Sequence, residues 1–421
     1  MKYPRAKSDG TITAKVQIWW IGRGTMLLRI AVGLMAFAAL IWLGYEFWRL
    51  IWQPTDIGTV RIHPGAIDLK LRHVAVHRWF AGERVYGAMR TETYPPASYV
   101  LLWPFLGWLE VKPAILMWAA TTVAALGWLV YLVVQESGAS IFLERLFVLL
   151  IPLSMYATGA SVGNGQLTVH CLPMLVSATL LLHQEHPSWP KDLLASGLIL
   201  VSLVKPNITV PFFWIVLFAP GRLRPAVLVS SGHVVLTLIA ASFQELGPFV
   251  LFRDWLGSGA GWGYSAGHAH LGVLLRALGL GDYLLPAMFI VLLALGFWTY
   301  SHRHVDLWLL LGVSGLAARF WTYHRWYDDL LILLPMVALF RIAKESFSSD
   351  GAQVLAGALL GITMLASIAP GGLYLLPEPW SMLYVDGQVV VWGGVLVFLL
   401  NLARRERNAQ TLERNGYRVG V

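Results

Sequence analysis

The feature that most constrains this chain is a recurrence of apolar runs about as long as the hydrocarbon core of a bilayer is thick. Residues 26–48 read MLLRIAVGLMAFAALIWLGYEFW, and about 20 predominantly apolar residues in a helix cross such a core. Further apolar segments fall at 113–135, 142–160, 165–183, 191–205, 208–219, 225–243, 283–300, 305–318, 328–342, 352–369 and 382–402. Only 13% of the 421 residues are charged, too few to solvate a globular surface, and mean hydropathy is +0.63. Disorder is excluded on the same figures, and a disulfide scaffold by the single cysteine, Cys171. The pattern predicts an all-α polytopic membrane protein of about twelve spans. Proline interrupts several of them, notably between Pro206 and Pro220, so broken helices packed inside the bundle are expected there.

Arginine and lysine in the short connections set the orientation. They gather in an amino-terminal arm (residues 1–25), in a tail (403–421), at Arg222 with Arg224 and at Arg341 with Lys344. Both termini are therefore expected in the cytoplasm, flanking one transmembrane domain over 26–402. The first run is expected to stay attached, since no small-residue cleavage site follows it before Glu46, Phe47 and Trp48. The connections at 49–112, 161–164, 206–207, 244–282, 319–327 and 370–381 then share the extracytoplasmic face. For an even count of spans, residues 94–109 must dip in without crossing, which Pro95 and Pro96 support. The net charge of +8 comes with no basic stripe on a polar module, so membrane lipids and lipid phosphates are the expected anionic partners, not nucleic acid.

Polar chemistry collects on that outer face. The first connection, 49–112, contains IDLKLRHVAVHRWF, read as an amphipathic surface helix with Ile67, Leu71, Val74, Ala75 and Phe80 to one side. At its start stands Asp68, which suits a helix start and an i, i+4 ion pair with Arg72 as well as it suits a base. Tyr94 opens YPP, Gln166 closes GNGQ, and Lys205 and Asn207 flank Pro206. A lysine at the end of an apolar helix either snorkels to the interface or meets a phosphate. The second large outer loop, 244–282, is rich in glycine and carries His268, His270 and Arg276; two histidines without a carboxylate or cysteine nearby make a weak metal signal. His324, Arg325, Asp328 and Asp329 stand at the mouth of a further apolar helix, where they complement its dipole or grip a phosphate.

In order, these pieces resemble the polyprenyl-phosphate-sugar-dependent enzymes of glycosyltransferase family 87, which have the type-C (GT-C) membrane fold. The elements are Asp68, then Gly82 and Tyr86, YPP from Tyr94, Gly165 with Gln166, Lys205 with Pro206, Gly272, Leu275 and Arg276 as G-x-x-L-R, and His324, Tyr327 and Asp328. Two departures bear on substrate choice: His268 and His270 stand where the family often has Asn and Ser, and Asn207 where Gln is common. The resemblance implies transfer of a hexose, mannose before others, from a polyprenyl-phosphate donor to a lipid or glycan acceptor in a bacterial plasma membrane. It implies inversion, no metal and no cofactor. It makes Asp68 the catalytic base, sets Lys205, Arg276, His324 and Arg325 on the donor phosphate, and gives Tyr86, Tyr94, Gln166, Asn207, His268, His270, Tyr327 and Asp328 to the substrates. A lipid-linked polysaccharide polymerase or ligase, whose large outer loop normally comes late, and a transporter or flippase, whose polar groups lie near the midplane in repeated halves, are the alternatives.

Overall fold

The computed structural model describes residues 12–52, 64–89, 92–184, 186–265, 270–344, 350–371 and 376–414. Among them there is no strand, only an isolated bridge between Met155 and Ile368. The helices are α1 (Ile12–Trp52), α2 (Ile67–Phe80), α3 (Pro96–Leu106), α4 (Val111–Glu136), α5 (Phe142–Ser154), α6 (Tyr156–Asn164), α7 (Thr168–Leu182), α8 (Trp189–Ser202), α9 (Pro206–Leu217), α10 (Arg224–Ala241), α11 (Pro248–Ser265), α12 (Leu271–Ala277), α13 (Leu284–Ser301), α14 (Leu307–Trp321), α15 (Leu333–Lys344), α16 (Asp350–Ser367) and α17 (Trp380–Arg414). A 3-10 segment, Trp326–Ile332, leads into α15.

Among the described residues five helical stretches are long and apolar enough to cross a membrane: Thr25–Trp52, Val111–Glu136, Arg224–Ala241, Gly281–Ser301 and Trp380–Leu412. The pair α6 and α7, bent by 117° at its break, is a sixth if it counts as one span. About twelve spans were expected from hydropathy, and helices of spanning length do not reach that number. The remaining apolar segments are helical but short. Pro206 heads α9 after the three residues that follow α8, and the expected single segment at 142–160 is cut at Met155, whose backbone is extended, into α5 and α6.

The innermost layer is α14 with the 3-10 segment and α15, packed by α9, α16 and α17. Leu330, Leu331, Ile332, Leu333 and Leu334 are all fully buried, as a helix that is apolar on every side must be. The α3 helix has 11 residues and rises about 16 Å, roughly half the thickness of a hydrocarbon core.

The α2 helix has the bounds its sequence gives but not the expected face. Leu69, Arg72, His73, Ala75, Val76 and Trp79 are buried, while Val74 is 43% exposed. Trp79 decides the rotation: its ring stacks on Tyr99 of α3 at 4.2 Å between centroids, and its Nε1 donates to the Ala240 carbonyl of α10. The helix is thus docked against the bundle on a face containing an arginine and a histidine. The His73 and His77 rings are satisfied by the Leu109 and Leu106 carbonyls.

Candidate functional site

The site begins at a helix end. Gly165 takes φ 69° after α6, and the Gly165 and Gln166 amides donate back to the Val162 and Ser161 carbonyls, the bonding of a Schellman motif. Glycine is needed here twice over, for the left-handed backbone and because a Cβ would lie 2.6 Å from the Leu69 Cβ. The same turn fixes the start of α2. The Ala66 amide donates to the Gly163 carbonyl at 2.8 Å, and Arg49 of α1, paired with Glu46 at 2.7 Å, donates to Asn164 Oδ1 at 3.0 Å. Gln166 and Asp68, nearly a hundred residues apart, are thereby held side by side.

They face a cavity of about 770 Å³. Its polar end is lined by Asp68, Arg72, Tyr94, Gln166, Lys205, Asn207, Tyr323, Arg325, Tyr327 and Asp328. Much of the remaining wall is made of apolar side chains of α9, α10, α11 and α13, among them Phe213, Val229, Trp255, Phe289 and Leu292. Seven residues singled out in the sequence for catalysis or binding therefore share one chamber with Arg325: Asp68, Tyr94, Gln166, Lys205, Asn207, Tyr327 and Asp328.

Lys205 is the hub of the polar end. Its Nζ donates to Asp328 Oδ1 at 2.5 Å, Thr168 Oγ1 at 2.8 Å and Gln166 Oε1 at 3.0 Å, so all three ammonium hydrogens are engaged. The Tyr327 ring lies 5.0 Å from the same nitrogen. Asp328 is saturated in turn: Thr168 also donates to Oδ1, while His324 Nδ1 (3.2 Å) and the Arg325 amide (3.3 Å) meet Oδ2. Burial would push the Asp328 carboxyl up, but the Lys205 ammonium and the His324 hydrogen bond outweigh it and hold Asp328 well below the usual carboxylate range. Burial pushes the His324 imidazole down, so it stands neutral behind Asp328 with Nδ1–H as donor. Lys205 is therefore neither a snorkelling anchor nor an unengaged cation; it is half of a buried ion pair.

Asp68 differs from Asp328 in every respect. It is partly exposed to the cavity and stands in the first turn of α2 without capping it, since the cap residue is Ala66 in a left-handed conformation. Nor does it pair with Arg72, which donates to Glu92 Oε2 at 2.5 Å. Burial raises the Asp68 carboxyl above the usual carboxylate range, against the pull of Gln166, Arg72, Lys205 and Arg325. A carboxylate of raised basicity, open on a cavity, suits proton transfer. Arg325 lines the same cavity, half-buried, with Nε donating to the Tyr323 hydroxyl at 2.6 Å.

Other expected site residues lie outside the lining. His324 is fully buried beneath Asp328. Tyr86 stands behind Tyr94, donating to its carbonyl at 2.6 Å, with its ring edge-on to Trp79. His270 caps α12 by accepting from the Gly272 amide, its ring 6.0 Å from that of Tyr323. Arg276, on the same short helix, folds back to the Gly272 carbonyl. His268 lies outside the described residues. Conversely, sequence reasoning missed Thr168, Tyr323 and Glu92 as partners. Thr168 follows Gly165 and Gln166 closely and Glu92 stands two residues before Tyr94 of YPP, so proximity to those motifs was the available signal. Asp329, beside Asp328, is turned away: it pairs with Arg319 of α14 and accepts from the Tyr156 hydroxyl. Among the described residues no three His, Cys, Asp or Glu side chains gather closely enough to hold a metal ion.

Comparisons with family models, with curated proteins and with solved structures give no match to this chain.

Proposed function

We propose that this protein is a membrane glycosyltransferase that moves a hexose from a polyprenyl-phosphate donor to a lipid or glycan acceptor at the extracytoplasmic face, both termini being cytoplasmic. The observation that carries the reading is the composition of one chamber: a carboxylate partly exposed to it, Asp68, a guanidinium, Arg325, and an extensive apolar lining share one space. That is the shape and charge a lipid-linked phosphodiester would need. In this reading the acceptor hydroxyl gives its proton to Asp68 while its oxygen bonds to the anomeric carbon. The bond from that carbon to the phosphate oxygen breaks, and its electron pair leaves on the phosphate, whose charge Arg325 stabilises. Attack opposite the leaving group inverts the centre. Lys205, already balanced by Asp328, holds Gln166 against Asp68. Tyr94, Asn207 and Tyr327 border the space for the sugar.

The test is to incubate the purified protein in lipid with a panel of polyprenyl-phosphate hexoses and an acceptor lipid extract, following both free polyprenyl phosphate and the glycosylated product. Release with at least one donor, dependent on acceptor, is the expected result. Movement of intact donor between leaflets without release would instead make the protein a carrier. The topology is checked by labelling introduced cysteines in a Cys171→Ala background; the native thiol is fully buried and does not interfere. A cysteine at Lys70 that reacts only from the cytoplasmic side would overturn the assignment of the face.

A further inference from the structure

Asp68 and Arg72 stand one turn apart on α2 and both line the cavity. At that spacing a carboxylate and a guanidinium ordinarily pair. Here the guanidinium is drawn elsewhere: Nη1 donates to Glu92 Oε2 at 2.5 Å, and Cζ lies 4.4 Å from the centroid of the Tyr94 ring. Glu92 is fully buried, and the same Oε2 accepts from the Tyr99 hydroxyl at 3.0 Å. Its Oε1 has no hydrogen-bond partner among the described residues. An unsatisfied buried acceptor is destabilising, more so when charged, and a buried ion pair adds little over apolar residues of the same volume. Stability alone is a poor reason for this arrangement; geometry at the neighbouring carboxylate is a better one.

We propose that Glu92 is a positioning residue: by drawing the Arg72 guanidinium onto itself it keeps that cation off Asp68 and leaves the Asp68 carboxylate open to the acceptor hydroxyl. This rests on the reading of Asp68 as the base. The charged and titratable groups around Asp68 come from several elements. They are Arg72 on its own helix, Tyr94 ahead of α3, Lys205 between α8 and α9, and Tyr323, Arg325, Tyr327 and Asp328 ahead of α15. His233 of α10 lies on the cavity wall, and Glu46 and Arg49 of α1 pair with each other beneath the turn. Of these, Arg72 is the one that forms an ion pair with Glu92.

The experiment is a pair of variants read by the pH dependence of turnover and, without substrate, by the infrared carboxyl band that disappears in Asp68→Asn. In Glu92→Gln the charge that draws the guanidinium away is gone, so Asp68 feels the cation more strongly and its ionised form is favoured. The acid limb and the midpoint of the band then move down by about one pH unit or more, and the plateau rate falls because the base is weaker. In the double variant Arg72→Met with Glu92→Met the cation is gone and both buried charges are replaced by apolar volume, so limb and midpoint move up. Opposite shifts are the expected result, and a purely structural pair would produce neither. Stationary limbs in folded variants, shifts of the same sign, or failure of both variants to fold would each overturn the proposal and return the pair to a structural role. If Asp68→Asn turns over normally, the reading of the base has failed; if it is inactive while the limbs stay put, only the role of Glu92 has.

Discussion

Replacing Lys205 with methionine tests whether the polar end is organised by a buried ion pair. Methionine keeps most of the length and the apolar stem but removes three hydrogen bonds and a charge. The Lys205 and Asp328 side chains are 6% and 1% exposed, so the small values typical of solvated pairs do not apply. Removing one partner of a buried pair costs about 3–5 kcal/mol, chiefly because the other charge is left behind. Asp328 would retain Thr168 on Oδ1 and His324 with the Arg325 amide on Oδ2, which places the loss near the lower end, roughly 3 kcal/mol.

The pH dependence of that loss has a definite sign. In the wild type the folded pKa of Asp328 is depressed, so its contribution is present above the unfolded value of about 3.9 and is lost as pH falls through the folded one. Without Lys205, desolvation dominates and the folded pKa rises above the unfolded one, so the penalty grows as pH rises through about 4. Equilibrium unfolding in mixed micelles at pH 4 and pH 7.5 should show a narrow gap between wild type and variant at the lower pH and a wide one at the higher. Adding Asp328→Asn should restore much of the stability at pH 7.5 without restoring turnover. A loss below about 1 kcal/mol, or a gap independent of pH, would refute the argument. Lys191→Met, away from the cavity, is the neutral control.

Asp68→Asn should lower turnover by about a hundredfold or more with stability little changed, because Asp68 neither caps α2 nor pairs with Arg72; near-normal turnover would move the base elsewhere, while the exposed Glu83→Gln should be silent. Gly165→Ala should cost about 1–3 kcal/mol, since it strains a left-handed residue and drives a Cβ against Leu69. Turnover should fall with it because α2 is displaced, and an unaltered thermal midpoint would count against that packing. Gly259 of α11 lines the cavity and a Cβ there meets nothing within 4 Å, so Gly259→Leu should fold normally yet weaken binding of long-chain donors more than of short-chain ones. Equal effects on both would argue that the apolar arm holds no lipid chain.

How much of this was legible in the sequence varies with the range of the interaction involved. The bounds of α2 were readable because a helix period and the residues that end it are local, and the break before α9 was readable because Pro206 cannot continue the hydrogen bonding of α8. The gathering of Asp68, Tyr94, Gln166, Lys205 and Asp328 was suggested by expecting their loops on one face of a bilayer, a constraint the solvent imposes on any such chain. The face α2 buries could not be read, because Trp79 chooses it by stacking on Tyr99 and donating to Ala240, contacts outside the helix. Nor could the pairing of charges. Asp68 and Arg72 have the spacing of partners, yet Arg72 goes to Glu92, 20 residues on, and Lys205 to Asp328, 123 residues on. Local propensity fixes where helices begin and end. Which charge meets which is decided by desolvation once the helices pack, because each buried ion must take the one counter-ion that packing brings within reach.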